Sequence, residues 1–279
     1  MNPFAASGSA DQVVPTPQAM PPADPPLLDI AELSYAYGTR PACIDVSTRL
    51  WPGEALAVVG ESGSGKTTLL RCLAGELTPD AGTVQYRTRA GSVVDMHSLS
   101  EGARRMLLRT DWGVVRQNPR DGLRLGVSAG ANIGEPLMVL GHRHFGDLRQ
   151  GASDWLDRVE IDRDRIDDPP ATFSGGMQQR LQIARSLVAG PRLVLMDEPT
   201  GGLDVSVQAR LLDLLRRLVG DLGLAVIVVT HDLAVARLLA DRLVVMRHGR
   251  IVEDGLTDQV LDDPQHPYTQ LLVSSVLRP

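Results

Sequence analysis

Lysine is almost absent from this sequence. Of its 28 basic residues only Lys66 is a lysine, and the formal net charge is −6 with a pI of about 5.5. Nucleic-acid-binding proteins usually carry lysine and arginine clustered on one broad face, which raises their net charge. The composition therefore argues against nucleic acid as a partner.

Cysteine is scarce, and long apolar runs are missing. Cys43 and Cys72 lie 29 residues apart in apolar stretches, with neither the spacing of metal ligands nor the density of a disulfide framework. We predict buried thiols in a reducing cytoplasm. Uncharged apolar runs such as Leu224 to Val229 are far shorter than the roughly 20 residues that cross a membrane. A cytoplasmic protein is expected, with peripheral attachment to the inner membrane as an open alternative.

Residues 1–26 differ in composition from the rest. They contain no lysine or arginine and hold seven of the 19 prolines, so they lack the positive start and apolar centre of a signal peptide. We predict a Pro-rich disordered extension here. The chain is 43% hydrophobic and 22% charged, as expected of a globular protein with a sizeable core. A single domain is predicted over residues 27–279.

The predicted strands indicate an α/β fold. Leu28 to Tyr37 and Ile44 to Leu50 are rich in β-forming residues. Three short, fully apolar segments have the composition of strands buried on both faces, which is typical of a parallel sheet covered by helices: Ala55 to Val59, Leu193 to Met196 and Leu224 to Val229. Between the last two, Val205 to Val219 carries apolar residues at helical spacing. Strand, helix and strand then form a βαβ unit.

The segment from about 119 to 189 has no convincing strand pattern. Its periodic stretches, around Ile133 to Leu140 and Ala152 to Val159, predict helices. The predicted fold class is α/β, a parallel-sheet core with an N-terminal antiparallel β subdomain and an inserted helical subdomain at about residues 119–189.

A glycine-rich loop follows the first apolar strand. Gly60-Glu-Ser-Gly-Ser-Gly-Lys-Thr67 fits the P-loop pattern between a strand and a helix, where backbone N–H groups cradle phosphates. Lys66 would reach the β- and γ-phosphates, and the Thr67 hydroxyl would hold Mg²⁺. A plain glycine-serine turn that caps a helix is the alternative.

Two carboxylates follow the second apolar strand. Asp197 and Glu198 fall at the carboxyl edge of the predicted sheet, where open α/β folds bind ligands. Asp197 suits the Mg²⁺ shell, and Glu198 suits a general base for the attacking water. Solvated turn chemistry is the alternative for an acidic pair on its own.

A serine and two glycines precede another predicted helix. In Ser174-Gly-Gly-Met-Gln-Gln-Arg180 the serine is by itself an ordinary N-cap. The adjacent glycines could also expose N–H groups for a second phosphate contact.

In this order the motifs resemble those of the ATP-binding subunits of ABC transporters, across nearly all of residues 27–279. The resemblance implies a P-loop NTPase of ABC type that hydrolyses Mg-ATP to ADP and phosphate. It implies the following motifs: Tyr37 as the aromatic that stacks on adenine, Gly60 to Thr68 as Walker A, Gln117 as the Q-loop glutamine, Phe173 to Gln178 as the signature, Asp197 and Glu198 as the end of Walker B, Gly202 to Asp204 as the D-loop, and His231 as the switch histidine.

The resemblance also assigns the site residues. Catalytic roles fall to Glu198, His231 and Gln117, and Mg²⁺ contacts to Thr67, Gln117 and Asp197. Contacts with ATP fall to Tyr37, Gly60, Glu61, Ser62, Gly63, Ser64, Gly65, Lys66, Thr67, Thr68, Ser174, Gly175, Gly176 and Asp204. In this family the signature of one subunit faces the phosphate loop of another, so an ATP-dependent homodimer is expected. The departures from the common pattern are Phe173 for Leu, Met177 for Gln and Gly201-Gly202 for Ser-Ala, and none removes a catalytic group.

Branch motifs leave two functions open and a third less favoured. Leu203 to Gln208 and the ending Asp263-Pro-Gln-His-Pro-Tyr-Thr-Gln-Leu-Leu272 resemble the oligopeptide and nickel importer branch, whose ATPases meet membrane permeases; a capped helix is the alternative for that ending. Gln117 to Arg124 and Arg143 to Arg149 resemble instead the ATP-binding component of the bacterial carbon-phosphorus lyase system, which degrades phosphonates. Intact Lys66, Asp197, Glu198 and His231 argue against a third hypothesis, a nucleotide-sensing scaffold with little turnover.

Overall fold

The computed structural model describes residues 14–15 and 24–276. Most of the Pro-rich segment predicted over residues 1–26 therefore lies outside the described residues, although Val14 and Pro15 form a two-residue strand. The described chain divides into two compact units. The first contains the residues before position 105 together with Ala225 onward, and the second contains residues 105–224.

The strands of the described residues are, in chain order, β1 (Val14–Pro15), β2 (Leu28–Tyr37), β3 (Arg40–Leu50), β4 (Ala55–Val59), β5 (Ala81–Arg87), β6 (Val93–Asp95), β7 (Trp112–Val115), β8 (Leu193–Asp197), β9 (Ala225–Val229), β10 (Arg242–Arg247) and β11 (Arg250–Leu256). The α-helices are α1 (Lys66–Leu73), α2 (Glu101–Thr110), α3 (Ala129–Val139), α4 (Phe145–Arg158), α5 (Gly175–Leu187), α6 (Val205–Leu222), α7 (Leu233–Leu239), α8 (Thr257–Asp262) and α9 (Pro267–Val276). Short 3₁₀ turns cover Pro119–Asp121, Arg163–Asp167 and Pro170–Thr172.

In the first unit, β4 lies between two parallel neighbours. Leu56 pairs with Ile227 of β9, and Val58 pairs with Val244 of β10. Every residue of β4 and of β9 is buried, which confirms the prediction of strands covered on both faces. Because parallel strands end at the same sheet edge, the chain leaves β4 at Gly60 and β9 at Thr230 side by side. The Thr230 N–H donates to the carbonyl oxygen of Val58 at 3.1 Å.

The first unit also contains the expected N-terminal antiparallel sheet, with strand order β3-β2-β5-β6. Leu28 pairs with Leu50 of β3 and with Tyr86 of β5, and all three side chains are buried. Both cysteines belong to this unit and are free, buried thiols, as predicted. Burial, the largest cause, raises the pKa of each thiol to about 12.

The second unit contains the predicted helical segment. Between residues 119 and 189 the chain forms helices and 3₁₀ turns and no strand. Helices α3, α4 and α5 pack against one another, and each carries a fully buried side chain, Ile133, Leu156 and Leu181 respectively. Beside them β7 runs parallel to β8, with Trp112 opposite Leu193 and Val115 opposite Met196. The ends of these two strands lead to Gln117 and to Glu198 at one edge.

No helix within the described residues is both long enough and apolar enough to cross a membrane.

Candidate nucleotide-binding site

The loop after β4 lies against neighbouring backbone at two of its glycines. Gly60 has a φ of 148°, and a Cβ there would come within 2.2 Å of the carbonyl oxygen of Met246. Gly65 has a φ of 108°, and its Cβ would come within 2.1 Å of the carbonyl oxygen of Ala42. Any side chain would meet backbone atoms that cannot move aside, so the loop shape requires glycine at both positions.

The single lysine of the chain is enclosed by this loop. Lys66 is 7% exposed, and its Nζ donates to the carbonyl oxygens of Gly60 at 2.7 Å and Glu61 at 2.9 Å. Lys66 is also the first residue of α1, so the ammonium and the positive end of a helix lie together. This arrangement suits an anion, and phosphate is the anion that such loops bind.

A cavity of about 310 Å³ opens beside the loop. Its lining joins Tyr37 and Arg40 to Lys66, Thr67 and other loop residues, and its size falls at the lower end of small-molecule sites. The Tyr37 side chain is 45% exposed and meets the Tyr35 ring edge-on at 5.0 Å. The structure therefore brings the predicted adenine-stacking residue to the predicted phosphate loop.

Arg40 is a cavity residue that the sequence patterns did not indicate. It is the first residue of β3, and β3 turns back beside Tyr37, whose backbone pairs with that of Arg40. The sequence did contain a signal for this position. Gly38-Thr39 is a two-residue turn after Tyr37, and such a turn places the next residue, Arg40, opposite Tyr37 on the neighbouring strand.

His231 also belongs to the first unit and lies immediately after β9. Its side chain is exposed, while its neighbours are fixed: the Asp232 N–H donates to the Thr230 hydroxyl at 3.1 Å, and the Asp232 carboxylate caps α7 by accepting from the Ala234 N–H at 2.8 Å. The imidazole therefore extends from a rigid turn at the sheet edge that also carries Gly60.

The second unit holds the two acidic candidates. Asp197 is the last residue of β8, and both Asp197 and Glu198 are partly buried. Glu198 has a φ of 43°, in the left-handed region that favours glycine. The Gly201 N–H donates to the Glu198 carbonyl oxygen at 2.9 Å and closes the turn that holds this conformation.

Gln117 lies beside this turn. Its Nε2 is 3.6 Å from the point that a Cβ on Gly201 would occupy, so the amide lies next to the backbone that follows Glu198. The backbone of the preceding residue, Arg116, is held by Gln182 of α5. The buried Gln182 side chain accepts from the Arg116 N–H at 2.8 Å and donates to the Arg116 carbonyl oxygen at 3.0 Å. The sequence patterns did not indicate Gln182, although it lies only two residues after Arg180 in the same predicted helix.

The signature motif begins α5 as predicted. The Ser174 hydroxyl accepts from the Met177 N–H at 3.3 Å, which makes it the N-cap of the helix. A Cβ on Gly176 would come within 2.6 Å of Val207 Cγ1, so this glycine permits close packing against α6. Phe173, which replaces the common leucine, is buried beneath the Arg165 guanidinium at 4.6 Å.

Asp204 occupies the N-cap of α6. Its carboxylate accepts from the Val207 N–H at 3.0 Å and from the Ser206 hydroxyl at 2.8 Å. These two bonds, the first being the stronger cause, hold the pKa of Asp204 below its usual range. The group is therefore an anion at neutral pH, and a contact with nucleotide across a dimer stays a prediction.

The donor atoms suit magnesium held by few protein ligands. Within the described chain no group of three or more His, Cys, Asp or Glu residues could hold a metal ion. The predicted ligands are the Thr67 hydroxyl in the first unit and the Gln117 amide and Asp197 carboxylate in the second, all oxygen donors. Mg²⁺ bound to nucleotides typically takes one or two protein oxygens and completes its shell with phosphate and water.

Comparisons with known proteins identify the family of the chain. A family model described as ABC transporter matches residues 43–201. The phosphonates utilization ATP-binding protein PhnK of Escherichia coli (strain K12) is 64% identical over 91% of this chain and 98% of its own length. A peptide import ATP-binding protein of Brucella melitensis is 40% identical over 91% of this chain and 78% of its own.

Solved structures add a nucleotide-bound neighbour. The cassette MJ0796, in a dimeric post-hydrolysis state bound to ADP and phosphate, matches with a TM-score of 0.73 and 28% identity. The match covers 82% of this chain and 98% of that one. The chain is thus an α/β P-loop NTPase, and it belongs to the ABC transporter family as an ATP-binding and ATP-hydrolysing subunit.

Proposed function

We propose that this ATPase accompanies the carbon-phosphorus lyase complex, a soluble cytoplasmic assembly that degrades phosphonates. The observation that carries the proposal is the 64% identity to PhnK, a phosphonates utilization protein, over 98% of that relative. Peptide import relatives match at 40% and over 78% of their length. The difference in identity favours the phosphonate branch.

The roles at the ATP site are assigned residue by residue. Lys66 and the loop N–H groups bind the β- and γ-phosphates, and Tyr37 stacks on adenine. Thr67, Gln117 and Asp197 would hold Mg²⁺, which would supply charge neutralisation for the transferred phosphate. Glu198 accepts the proton of the attacking water, while His231 contacts the γ-phosphate.

A second copy would complete each site. We assign Ser174, Gly175, Gly176 and Asp204 to contacts with the nucleotide on the opposing subunit. The dimeric state of MJ0796 with ADP and phosphate supports this assignment. Two nucleotides would then lie between two copies of the chain.

The partner surface is proposed at the loop after Gln117. Arg120 and Arg124 are exposed, whereas Leu123 between them is buried and anchors the loop. The Arg124 N–H donates to Asn132 at 2.8 Å, so the backbone is fixed below the guanidinium groups. Arginine suits a planar, bidentate contact with a carboxylate.

The two guanidinium groups are available for such a contact. Arg120 forms no ion pair with any other described residue, and Arg124 lies 3.7 Å from Glu135 in an exposed pair that contributes little. A partner carboxylate would therefore displace no strong internal interaction.

Co-purification tests the proposal. The tagged wild-type protein should copurify with soluble phosphonate-processing enzymes. The double variant Arg120→Glu and Arg124→Glu should lose them while keeping basal ATP hydrolysis, because neither residue contacts the nucleotide site. The matched control is Arg109→Glu with Arg216→Glu, which makes the same charge change at two other exposed arginines and should keep the complex.

Two outcomes would contradict the proposal. Unchanged copurification of the Arg120 and Arg124 variant would place the docking surface elsewhere. Wild-type protein that copurifies with integral membrane permeases, and with no phosphonate enzyme, would establish the alternative, the ATPase of a peptide, nickel or phosphonate importer. The importer-like ending Asp263 to Leu272 and the peptide import relatives are the observations that keep this alternative open.

A further inference from the structure

A tyrosine near the end of the chain contacts the phosphate loop. Tyr268, the second residue of α9, is 5% exposed, and its hydroxyl accepts a hydrogen bond from the Glu61 N–H at 3.0 Å. The Arg247 guanidinium lies over the Tyr268 ring, 4.9 Å from the ring centroid. Tyr268 and Glu61, the two hydrogen-bonded residues, are 207 positions apart in the sequence.

The bond falls on the peptide that also holds Lys66. Lys66 Nζ donates to the carbonyl oxygens of Gly60 and Glu61, and the Ser64 N–H donates to the Glu61 carbonyl oxygen at 3.1 Å. The first turn of the loop is thus fixed on one side by its own lysine and on the other by Tyr268. Glycine-rich backbone has many other conformations available, so such bonds decide which one is populated.

A buried carboxyl group holds the backbone that leads into Tyr268. Glu253 on β11 is 0% exposed, and its two oxygens accept from the Gln265 N–H at 2.8 Å and the His266 N–H at 3.0 Å. His266 Nδ1 then accepts from the Tyr268 N–H at 3.1 Å and caps α9. Buried polar groups require partners, so this network fixes the start of α9 rigidly. The segment Asp263 to Thr269 therefore positions the Tyr268 hydroxyl in addition to capping α9.

We propose that Tyr268 is a positioning residue for nucleotide binding, whose hydroxyl holds the phosphate loop in its binding conformation before nucleotide arrives. The inference rests on the proposed role of Gly60 to Thr67 as the phosphate site. Without the bond, only a fraction of the molecules carries the competent loop, and the apparent dissociation constant rises by the inverse of that fraction. ATP and ADP are affected alike, because both place phosphates in the loop.

The test is Tyr268→Phe, which keeps the ring and its packing and removes one oxygen. Equilibrium binding of fluorescent ATP and ADP analogues should weaken about three- to tenfold, the effect of one net hydrogen bond. In steady-state hydrolysis KM should rise similarly, and kcat at saturating ATP should stay close to wild type, because bound phosphates then hold the loop.

The neighbouring residue provides a matched control. Thr269 is 1% exposed, and its hydroxyl has no hydrogen-bond partner among the described residues. Thr269→Val deletes a buried hydroxyl from the same helical turn and should leave nucleotide binding unchanged. If Tyr268→Phe lowers the unfolding temperature but binds both nucleotides as wild type does, the role is structural and the inference is wrong. A fall in kcat with unchanged binding would also overturn it.

Lys66→Ala in the same binding assay separates this inference from the proposed function. If Lys66→Ala fails to weaken nucleotide binding, the phosphate site itself is misassigned. If Lys66→Ala weakens binding and Tyr268→Phe does not, the site stands and the positioning role fails.

Discussion

Glu198 combines the proposed general-base role with backbone strain at a single residue. A non-glycine residue at a φ of 43° costs on the order of 1–3 kcal/mol, which the surrounding turn must offset. Such strain concentrates at functional sites, and here it directs the carboxylate that directly follows the last residue of β8. Glu32 is a second glutamate in the left-handed region, with a φ of 52°, but its side chain is exposed on β2. Both glutamates are strained, but only Glu198 lies at the carboxyl edge of the parallel sheet, so position and strain together mark it as a candidate functional residue.

Glu198→Gln should bind Mg-ATP normally and hydrolyse it poorly. The amide fills the same space but cannot accept a proton, and losses of a general base are roughly a hundredfold to ten-thousandfold. Phosphate release at saturating ATP and binding of a fluorescent analogue measure the two properties separately. The matched control is Glu32→Gln, which makes the same substitution at another left-handed glutamate and should keep wild-type turnover. Wild-type turnover in Glu198→Gln would remove the general-base assignment.

At the scale of single residues, the sequence predicted those features that depend only on residues nearby in the chain. The Ser174 cap and the two buried cysteines are confirmed, since a cap or an apolar surrounding is visible within a few residues. Two contacts were not predictable in this way. Tyr268 meets Glu61 across 207 positions, and Gln182 meets Arg116 across 66, so only the fold brings them together.

At the scale of elements, hydrophobic pattern predicted three short apolar strands and one long helix. The apolar strands β4, β8 and β9 and the helix α6 occur where the sequence placed them, within a few residues at each end. Strands β10 and β11 were not among the predicted strands; β10 begins and ends with arginine, and Glu253 and Asp254 interrupt β11. Arg242 is stabilised there by Glu54 at 2.8 Å and Asp254 at 2.8 Å, partners that the local pattern cannot supply.

Gln182 is the clearest link between two elements of the second unit. It joins α5 to the chain that leaves β7, and Gln182→Ala would remove both bonds to the Arg116 backbone. Leaving buried polar groups without these partners costs about 1–3 kcal/mol. The free energy of unfolding in urea should fall by that amount. Gln150→Ala, at an exposed position of α4, is the control and should change stability by less than about 0.5 kcal/mol. Equal stability of both variants would contradict the bridging role.

At the scale of the whole molecule, the homodimer proposed above gives a role to motifs that we assign to a second copy of the chain. The Ser174 hydroxyl caps its own helix, and Gly176 packs on α6, yet both belong to the motif that the family places on an opposing nucleotide. A dimeric neighbour that holds ADP and phosphate is consistent with such sharing. The γ-phosphate would then be the group that decides whether two copies associate.

Glu198→Gln should therefore self-associate when ATP is added and not when ADP is added. Because this variant hydrolyses ATP slowly, the γ-phosphate persists and can contact Ser174 of a second copy; ADP lacks that group. Sedimentation velocity would follow the change from monomer to dimer.

Adding Ser174→Asp to Glu198→Gln tests the contact itself. Aspartate is as good an N-cap as serine, so α5 should remain folded, but its negative charge would repel the γ-phosphate of the opposing site. The double variant should bind ATP and stay monomeric. A monomeric Glu198→Gln at saturating ATP would contradict the homodimer and indicate a different chain as the second subunit, whereas dimers of the double variant would show that Ser174 does not face the γ-phosphate.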